Sequence, residues 1–162
     1  MLSVCLKYVW TMNLKDKVII VTGGRGLIGR EIVRELNDHG ARVVDADISC
    51  ETDADKGNYG VFERLNIREN YGLDMGSNES IDGLIEFTVN NYGRIDGLIN
   101  AAYPHTKDWG RYRFEDTPFE HWEENVRLQL NSVFYIDRQV SLVMERQGYG
   151  SIVNFGSIYG IV

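Results

Sequence analysis

The stretch KVIIVTGGRGLIGREIVREL, Lys17 to Leu36, decides the fold. Its first part, KVIIVTG, is a short continuous apolar run that ends in glycine, the pattern of a strand buried on both faces. Its last part places Ile28, Ile32, Val33 and Leu36 at helical spacing, so a helix with one apolar face follows, and Gly40 stands where a C-terminal cap belongs. Between them lies TGGRGLIG, Thr22 to Gly29. Glycines there permit a tight turn and let backbone N–H groups approach a pyrophosphate, with the positive end of the helix dipole behind them. A glycine-rich string alone is weak evidence, but between a strand and a helix it points to dinucleotide binding.

Working outward, strands and helices continue to alternate, which predicts an α/β fold: a doubly wound Rossmann sheet, mainly parallel, expected to be truncated after its fifth strand. ARVVDAD is a second strand, and residues 51–76 are rich in Gly, Asp and Asn and read mostly as loop, with room for a short strand at VFERLNI. Residues 78–92 form a helix with Ile81, Leu84, Ile85 and Val89 inward and Gly93 closing it; IDGLINAA is another buried strand. The loop YPHTKDWGRYRFED follows, and then TPFE predicts a helix start with Thr117 as cap, Pro118 in the first turn and Glu120 completing a capping box. A long helical segment, open to interruption, runs to about Gln147 before the final strand SIVNFGS. That strand is expected to leave an apolar edge, a site for pairing or aggregation.

At the end of the second strand Asp47 sits roughly 20 residues beyond the glycines, where a carboxylate accepts hydrogen bonds from an adenosine ribose. It would repel the extra phosphate of NADP, so NAD is expected rather than NADP. Arg25 inside the glycine loop is the counter-signal, since an arginine could serve that phosphate.

The composition agrees with a soluble globular domain. Of 162 residues, 43% are hydrophobic and 25% charged, which is not the profile of a disordered chain. The net charge of −7 argues against nucleic acid as a partner. No apolar run is long enough to span a bilayer. Cys5 and Cys50 form no disulfide framework and read as thiols of a reducing cytoplasm; His39, His105 and His121 are too scattered to suggest a metal. Residues 1–12 read as a loose N-terminal extension rather than a signal peptide, since Lys7 breaks the apolar run and Met12 looks like a natural start. Residues 13–162 then form one Rossmann-type domain.

The segments KVIIVTGG, GARVVDAD, GRIDGLINAA and GSIVNFGS, in that order and spacing, resemble the short-chain dehydrogenase/reductases. The resemblance runs from about Lys15 to Val162; LINAAYP, DWGRYRFED and SIYGIV look most similar to oxidoreductases of flagellin modification and legionaminic-type acid pathways. It implies an NAD(P)-dependent enzyme that moves a hydride between an alcohol and a ketone on a small molecule, here a sugar phosphate or nucleotide sugar.

The same resemblance assigns the site. Thr22, Gly23, Arg25, Gly26, Leu27, Ile28 and Gly29 form the cofactor loop, Asn66 and Ile67 stand by the adenine, and Asn100, Ala101 and Ala102 lie after the fourth strand. Tyr103 occupies a place where the family usually has glycine, and its ring would either reshape the pocket floor or simply pack. Ser157 matches the catalytic serine. The helper asparagine's position falls on Gln129 counting from Trp122, with Asn131 two residues away on another helix face. The YxxxK pair is expected a dozen or more residues after Ser157, and no lysine follows Lys107, so this chain is expected to bind cofactor and to lack turnover. Arg111 and Arg113, among the aromatic residues of their loop, are candidates for a phosphorylated sugar or a nucleotide sugar.

Two alternatives stay open. The TGxxGxxG spacing is also that of sugar-nucleotide epimerases and dehydratases, and a non-catalytic dinucleotide-binding fragment, dimerising through residues 118–147, fits as well.

Overall fold

A computed structural model describes residues 13–48 and 69–156 of the chain. The proposed extension 1–12, the segment 61–67, both cysteines, Asn66, Ile67 and Ser157 lie outside the described residues.

Five parallel strands form the described sheet: β1 (Val18–Thr22), β2 (Arg42–Asp47), β3 (Glu69–Gly72), β4 (Gly97–Asn100) and β5 (Ser151–Asn154), in the order β3-β2-β1-β4-β5. The chain therefore winds outward from β1 in one direction, then returns and winds outward in the other. Among the described residues the α-helices are α1 (Gly29–Asp38), α2 (Asn78–Tyr92), α3 (Phe119–Val126) and α4 (Ser132–Gln147), with a π-helical turn, Arg127–Asn131, joining the last two and a short 3-10 turn at Phe114–Asp116.

Side chains of successive strand residues point to opposite faces, and the two cores divide accordingly. Ile20, Val44, Ala46 and Leu98 pack with Ile81 and Leu84 of α2 and with Ile136 and Val140 of α4. On the other face Ile19, Val21 and Val43 pack with Val33 of α1, with Ile32 and Leu36 at the margin. Each fully buried isoleucine or leucine contributes about 2 kcal/mol by removal from water. Both layers thus clamp β1, whose five residues are all buried, as the unbroken apolar run requires.

The structure corrects three expectations. Ile28 is not on the apolar face of α1; it is 57% exposed and stands at the helix entrance. The polar run Glu69–Gly72, read as loop, is a strand, held by its parallel ladder with β2 from Val44 opposite Glu69 to Asp47 opposite Gly72. Its own side chains carry no strand signal, so the neighbouring strand decides. The capping box at TPFE does not form. Helix α3 begins at Phe119 with Pro118 as its cap residue and no side-chain cap bond, while the Thr117 hydroxyl donates instead to the Arg113 carbonyl. The interruption of the long helix is the π turn 127–131. Gly93 and Gly148 close α2 and α4 in the left-handed conformation. At the β5 edge Val153 and Phe155 are 46% and 54% exposed, the apolar border expected of SIVNF.

Asp96 ties the amino ends of the strands together. Its carboxylate accepts from the Val18 N–H (2.9 Å), Arg94 (2.5 Å) and Lys17 (3.4 Å), and its backbone N–H donates to Val18 and its carbonyl accepts from Ser151. Burial pushes this carboxyl up, but Arg94, the Val18 N–H and Lys17 together outweigh burial and hold it below the usual carboxylate range. A depressed carboxylate stabilises the fold above its unfolded pKa, and that contribution is lost as pH falls through its folded value. Asp96→Asn is expected to cost about 1–3 kcal/mol at pH 7, read by urea unfolding, because the Val18 N–H and two cations lose a charged acceptor. The deficit should shrink as pH falls below about 4, where the unfolded carboxylate begins to protonate, and close once pH passes the lower value of the native group. A variant as stable as the native chain at pH 7 would contradict this role.

Candidate functional site

The carboxyl ends of β1, β2 and β4 open onto a cleft of about 700 Å³. It lies where the strand order reverses, between β1 and β4, the place where open α/β sheets take ligands. Its walls are the glycine loop (Gly23, Gly26, Leu27, Ile28), the end of β2 (Ala46, Asp47, Ile48), the segment Leu73 to Met75, the stretch Ala101 to His105, and Leu128.

The glycine loop is built by crowding. Gly23 adopts φ +66°, and a Cβ there would stand 2.6 Å from the backbone N and Cα of Ala102. A Cβ on Gly29 would fall 2.0 Å from the Gly23 carbonyl oxygen. The loop is further pinned by Gly23 N–H to the Ala46 carbonyl (2.8 Å) and Gly26 N–H to the Gly23 carbonyl (3.0 Å). No side chain caps the N-terminus of α1, whose dipole faces the cleft. Bare backbone, a tight turn and a helix N-terminus are what a pyrophosphate needs.

Behind the loop, a polar network fixes the strand ends. The Thr22 hydroxyl donates to Asn100 Oδ1 (3.3 Å), and the Ala102 N–H donates to that hydroxyl (3.3 Å). Asn100 Nδ2 donates to Asp137 Oδ1 (2.8 Å) and to Asn154 Oδ1 (2.7 Å), and Asn154 Nδ2 donates to Asp137 Oδ2 (2.7 Å). Thr22 and Asn100 are buried and so act as supports; the cleft itself meets Ala101, Ala102 and Tyr103.

Two carboxylates stand two residues apart on β2, hence on one face. Asp47 borders the cleft, and its Oδ2 accepts from the Arg25 backbone N–H (3.1 Å). Asp45 is buried, 1% exposed, and neither carboxyl oxygen receives a hydrogen bond among the described residues. Its ion pair is with Arg25, Nε to Oδ2, at 3.7 Å. Burial, opposed by Arg25 and helped by the like charge of Asp47, leaves the Asp45 carboxyl raised to about 6.

Tyr103, 60% exposed, lines the cleft and meets Trp109 edge-on (5.8 Å between ring centres) and His105 (6.1 Å), so it both packs and shapes the mouth. Gln129 is not brought to this cleft. It lines a second, aromatic cavity of about 820 Å³ with Trp109, Tyr112, Phe119, Trp122 and Leu130, and its Nε2 is buried without a hydrogen-bond partner among the described residues. Asn131 lies exposed at the end of the π turn. Arg111 and Arg113 are exposed and line neither cavity. Sequence reasoning missed Ile48, Leu73 to Met75, Pro104, His105 and Leu128 as cleft walls; their signal was position, just after the carboxyl end of a strand for all but Leu128.

Residues 17–162 match the model of the short chain dehydrogenase family. The chain belongs to the short-chain dehydrogenases. It is 29% identical over 154 residues to the post-translational flagellin modification protein A of Campylobacter coli, covering 91% of this chain and 58% of that protein. It is 34% identical over 161 residues to sorbitol-6-phosphate 2-dehydrogenase of Klebsiella pneumoniae, covering 93% and 55%. Among solved structures, an NAD+-bound xylitol dehydrogenase superposes with a TM-score of 0.75 at 26% identity, covering 91% of this chain and 55% of that one. The chain thus spans a little over half the length of these short-chain dehydrogenase relatives. Among the described residues no helix is long and apolar enough to cross a membrane, and no group of three or more His, Cys, Asp or Glu is placed to hold a metal.

The raised Asp45 carboxyl makes a stability prediction. Between the unfolded pKa near 4 and the folded value of about 6, the folded chain keeps a proton that the unfolded chain has lost. Stability contributed by this group therefore falls as pH rises through that window. Asp45→Asn should remove the loss, so at pH 7.5 the variant should be more stable than the native chain by about 1–3 kcal/mol, with the gap closing by about pH 4. Denaturant unfolding at both pH values measures it. A variant less stable at pH 7.5 would show that the ion pair outweighs the burial.

Proposed function

We propose that this chain is the dinucleotide-binding part of an NAD-dependent oxidoreductase that interconverts an alcohol and a ketone on a sugar-like small molecule. The observation that carries this is the joining of the glycine loop, the bare N-terminus of α1 and Asp47 around one cleft. When bound, the dinucleotide supplies the hydride acceptor or donor. Gly23, Gly26 and Gly29 let the main chain come against the pyrophosphate, and the α1 dipole favours its negative charge. Asp47, already oriented by the Arg25 N–H, accepts from the ribose hydroxyls. Leu27 and Ile28 give the cleft an apolar wall, while Ala101 and Ala102 present main chain on its other side.

The substrate belongs on the Tyr103 side, beneath the aromatic loop. Arg111 and Arg113 stand exposed on that loop, outside the cleft walls, and are assigned to the phosphate of a substrate that extends beyond the cleft. That two of the relatives are named as dehydrogenases of sorbitol 6-phosphate and xylitol supports a sugar or polyol skeleton. Ser157, three residues past the end of β5, is assigned the hydrogen bond to the reacting oxygen. Asn66 and Ile67 are assigned to the adenine.

Titration calorimetry of the chain with NAD tests the reading. NAD is expected to bind, and Asp47→Ala to weaken it by about 10–100-fold, the loss of a charge-assisted hydrogen bond to ribose. Binding of neither NAD nor NADP, or an unchanged Asp47→Ala variant, would overturn it.

We also propose self-association through residues 118–147. Phe119, Trp122, Leu130 and Phe134 are 67%, 59%, 65% and 67% exposed and follow one another at intervals that keep them near one helix face. Sedimentation velocity is expected to show a dimer that Phe134→Glu converts to monomer; a monomeric native chain at high concentration would contradict the assignment.

A further inference from the structure

Arg25 is placed to do two opposite things. Its backbone N–H holds Asp47, the residue that the cofactor reading puts at the adenosine ribose, so its side chain starts beside the ribose 2′-position. A guanidinium there would pair with a 2′-phosphate and favour NADP. The side chain is instead turned inward. It is only 13% exposed, and its Nε lies 3.7 Å from the buried Asp45 carboxylate. Asp45 in turn sits against the loop so closely that a Cβ on Gly24 would overlap its Oδ1, at 1.9 Å.

Asp45 has little else to do. Its oxygens receive no hydrogen bond among the described residues, and burial of an under-satisfied carboxylate costs stability. An asparagine or an apolar residue would satisfy the packing at lower cost. What only a carboxylate supplies at this position is a negative charge under the glycine loop, facing Arg25.

We propose that Asp45 is a positioning residue for cofactor choice: it draws the Arg25 guanidinium away from the ribose 2′-position, so that the cleft presents Asp47 there and selects NAD over NADP. This rests on the dinucleotide reading of the cleft and adds a second carboxylate to it. Asp47 rejects the 2′-phosphate by direct repulsion. Asp45 acts through Arg25, by withholding the one cation in the glycine loop. The two strand positions thus play separate parts. Asp47 faces the ligand, and Asp45 governs the arginine that would otherwise reach it.

The test measures dissociation constants for NAD and for NADP on the native chain, Asp45→Asn, Arg25→Met and the double variant. The ratio of NADP to NAD dissociation constants should fall about tenfold or more in Asp45→Asn, while the NAD constant moves by less than about threefold. Adding Arg25→Met to Asp45→Asn should restore the native ratio, because the gain comes from the guanidinium. A purely structural role for Asp45 would weaken both cofactors together and leave the ratio alone. Arg25→Met on the native background keeps the proposal testable even if Asp45→Asn fails to fold. There the NADP constant should stay within about threefold of native, since Asp45 already withholds the guanidinium. A loss of NADP affinity beyond about tenfold in that variant would overturn the proposal. So would an unchanged ratio in Asp45→Asn, or a changed ratio that Arg25→Met does not reverse. If the native chain binds neither cofactor, the dinucleotide reading itself fails. If it binds NAD and only the ratio resists the substitutions, that reading stands and the role of Asp45 falls.

Discussion

The structure depends on how closely the β1–α1 turn approaches the end of β4. Gly23 stands so near Ala102 that no side chain fits between them, and Gly29 packs against the Gly23 carbonyl in the same way. This crowding brings the bare main chain to the floor of the cleft and aims α1 at it. A larger residue at either position would push the turn off β4 and open the network of Thr22, Asn100, Asp137 and Asn154 that squares off the strand ends. Fold and site are therefore one arrangement seen from two sides: the packing that lets β1 sit between two helix layers also leaves the anion-binding end of a helix uncovered.

The buried and half-buried aspartates show the same chemistry used to opposite effect. Asp96, at the amino ends of the strands, collects a backbone N–H and two cations and supports the fold. Asp45, near the carboxyl ends, keeps one cation at 3.7 Å and no hydrogen bond among the described residues, so its burial carries a desolvation cost. A protein tolerates such a cost near a ligand because binding groups must be held away from their most comfortable partners. The well-partnered carboxylate lies at the far end of the strands from the cleft, and the under-satisfied one lies beneath the glycine loop.

Much of this was legible in the residues. The apolar run Val18 to Val21, the glycine loop and the periodic helix 78–92 carry strong local signals, and local preference agreed with tertiary packing there. Asp47 was legible because strand alternation and distance from the glycines both point to it. Glu69–Gly72 was not, since a polar edge strand is specified by the ladder of its neighbour rather than by its own side chains. The TPFE start misled because Thr117 has a competing acceptor at Arg113, a local alternative that threonine readily takes. Ile28 misled because it follows helical spacing yet precedes the helix. Gln129, reached by counting from Trp122, falls within the π turn at 127–131, and the side of the helix it presents there, toward the aromatic cavity, is set by that turn rather than by α-helical spacing. The pairing of Arg25 with Asp45 is a question of rotamer, which no one-dimensional pattern records.

The β1–α1 turn and the end of β2 are proposed to form a nicotinamide dinucleotide site. Amide hydrogen exchange of the chain with and without saturating NAD tests it most directly. Slowed exchange is expected in residues 22–29 and 45–48, with residues 109–122 of the aromatic cavity unchanged. Protection confined to the aromatic cavity, or none in the glycine loop, would contradict it.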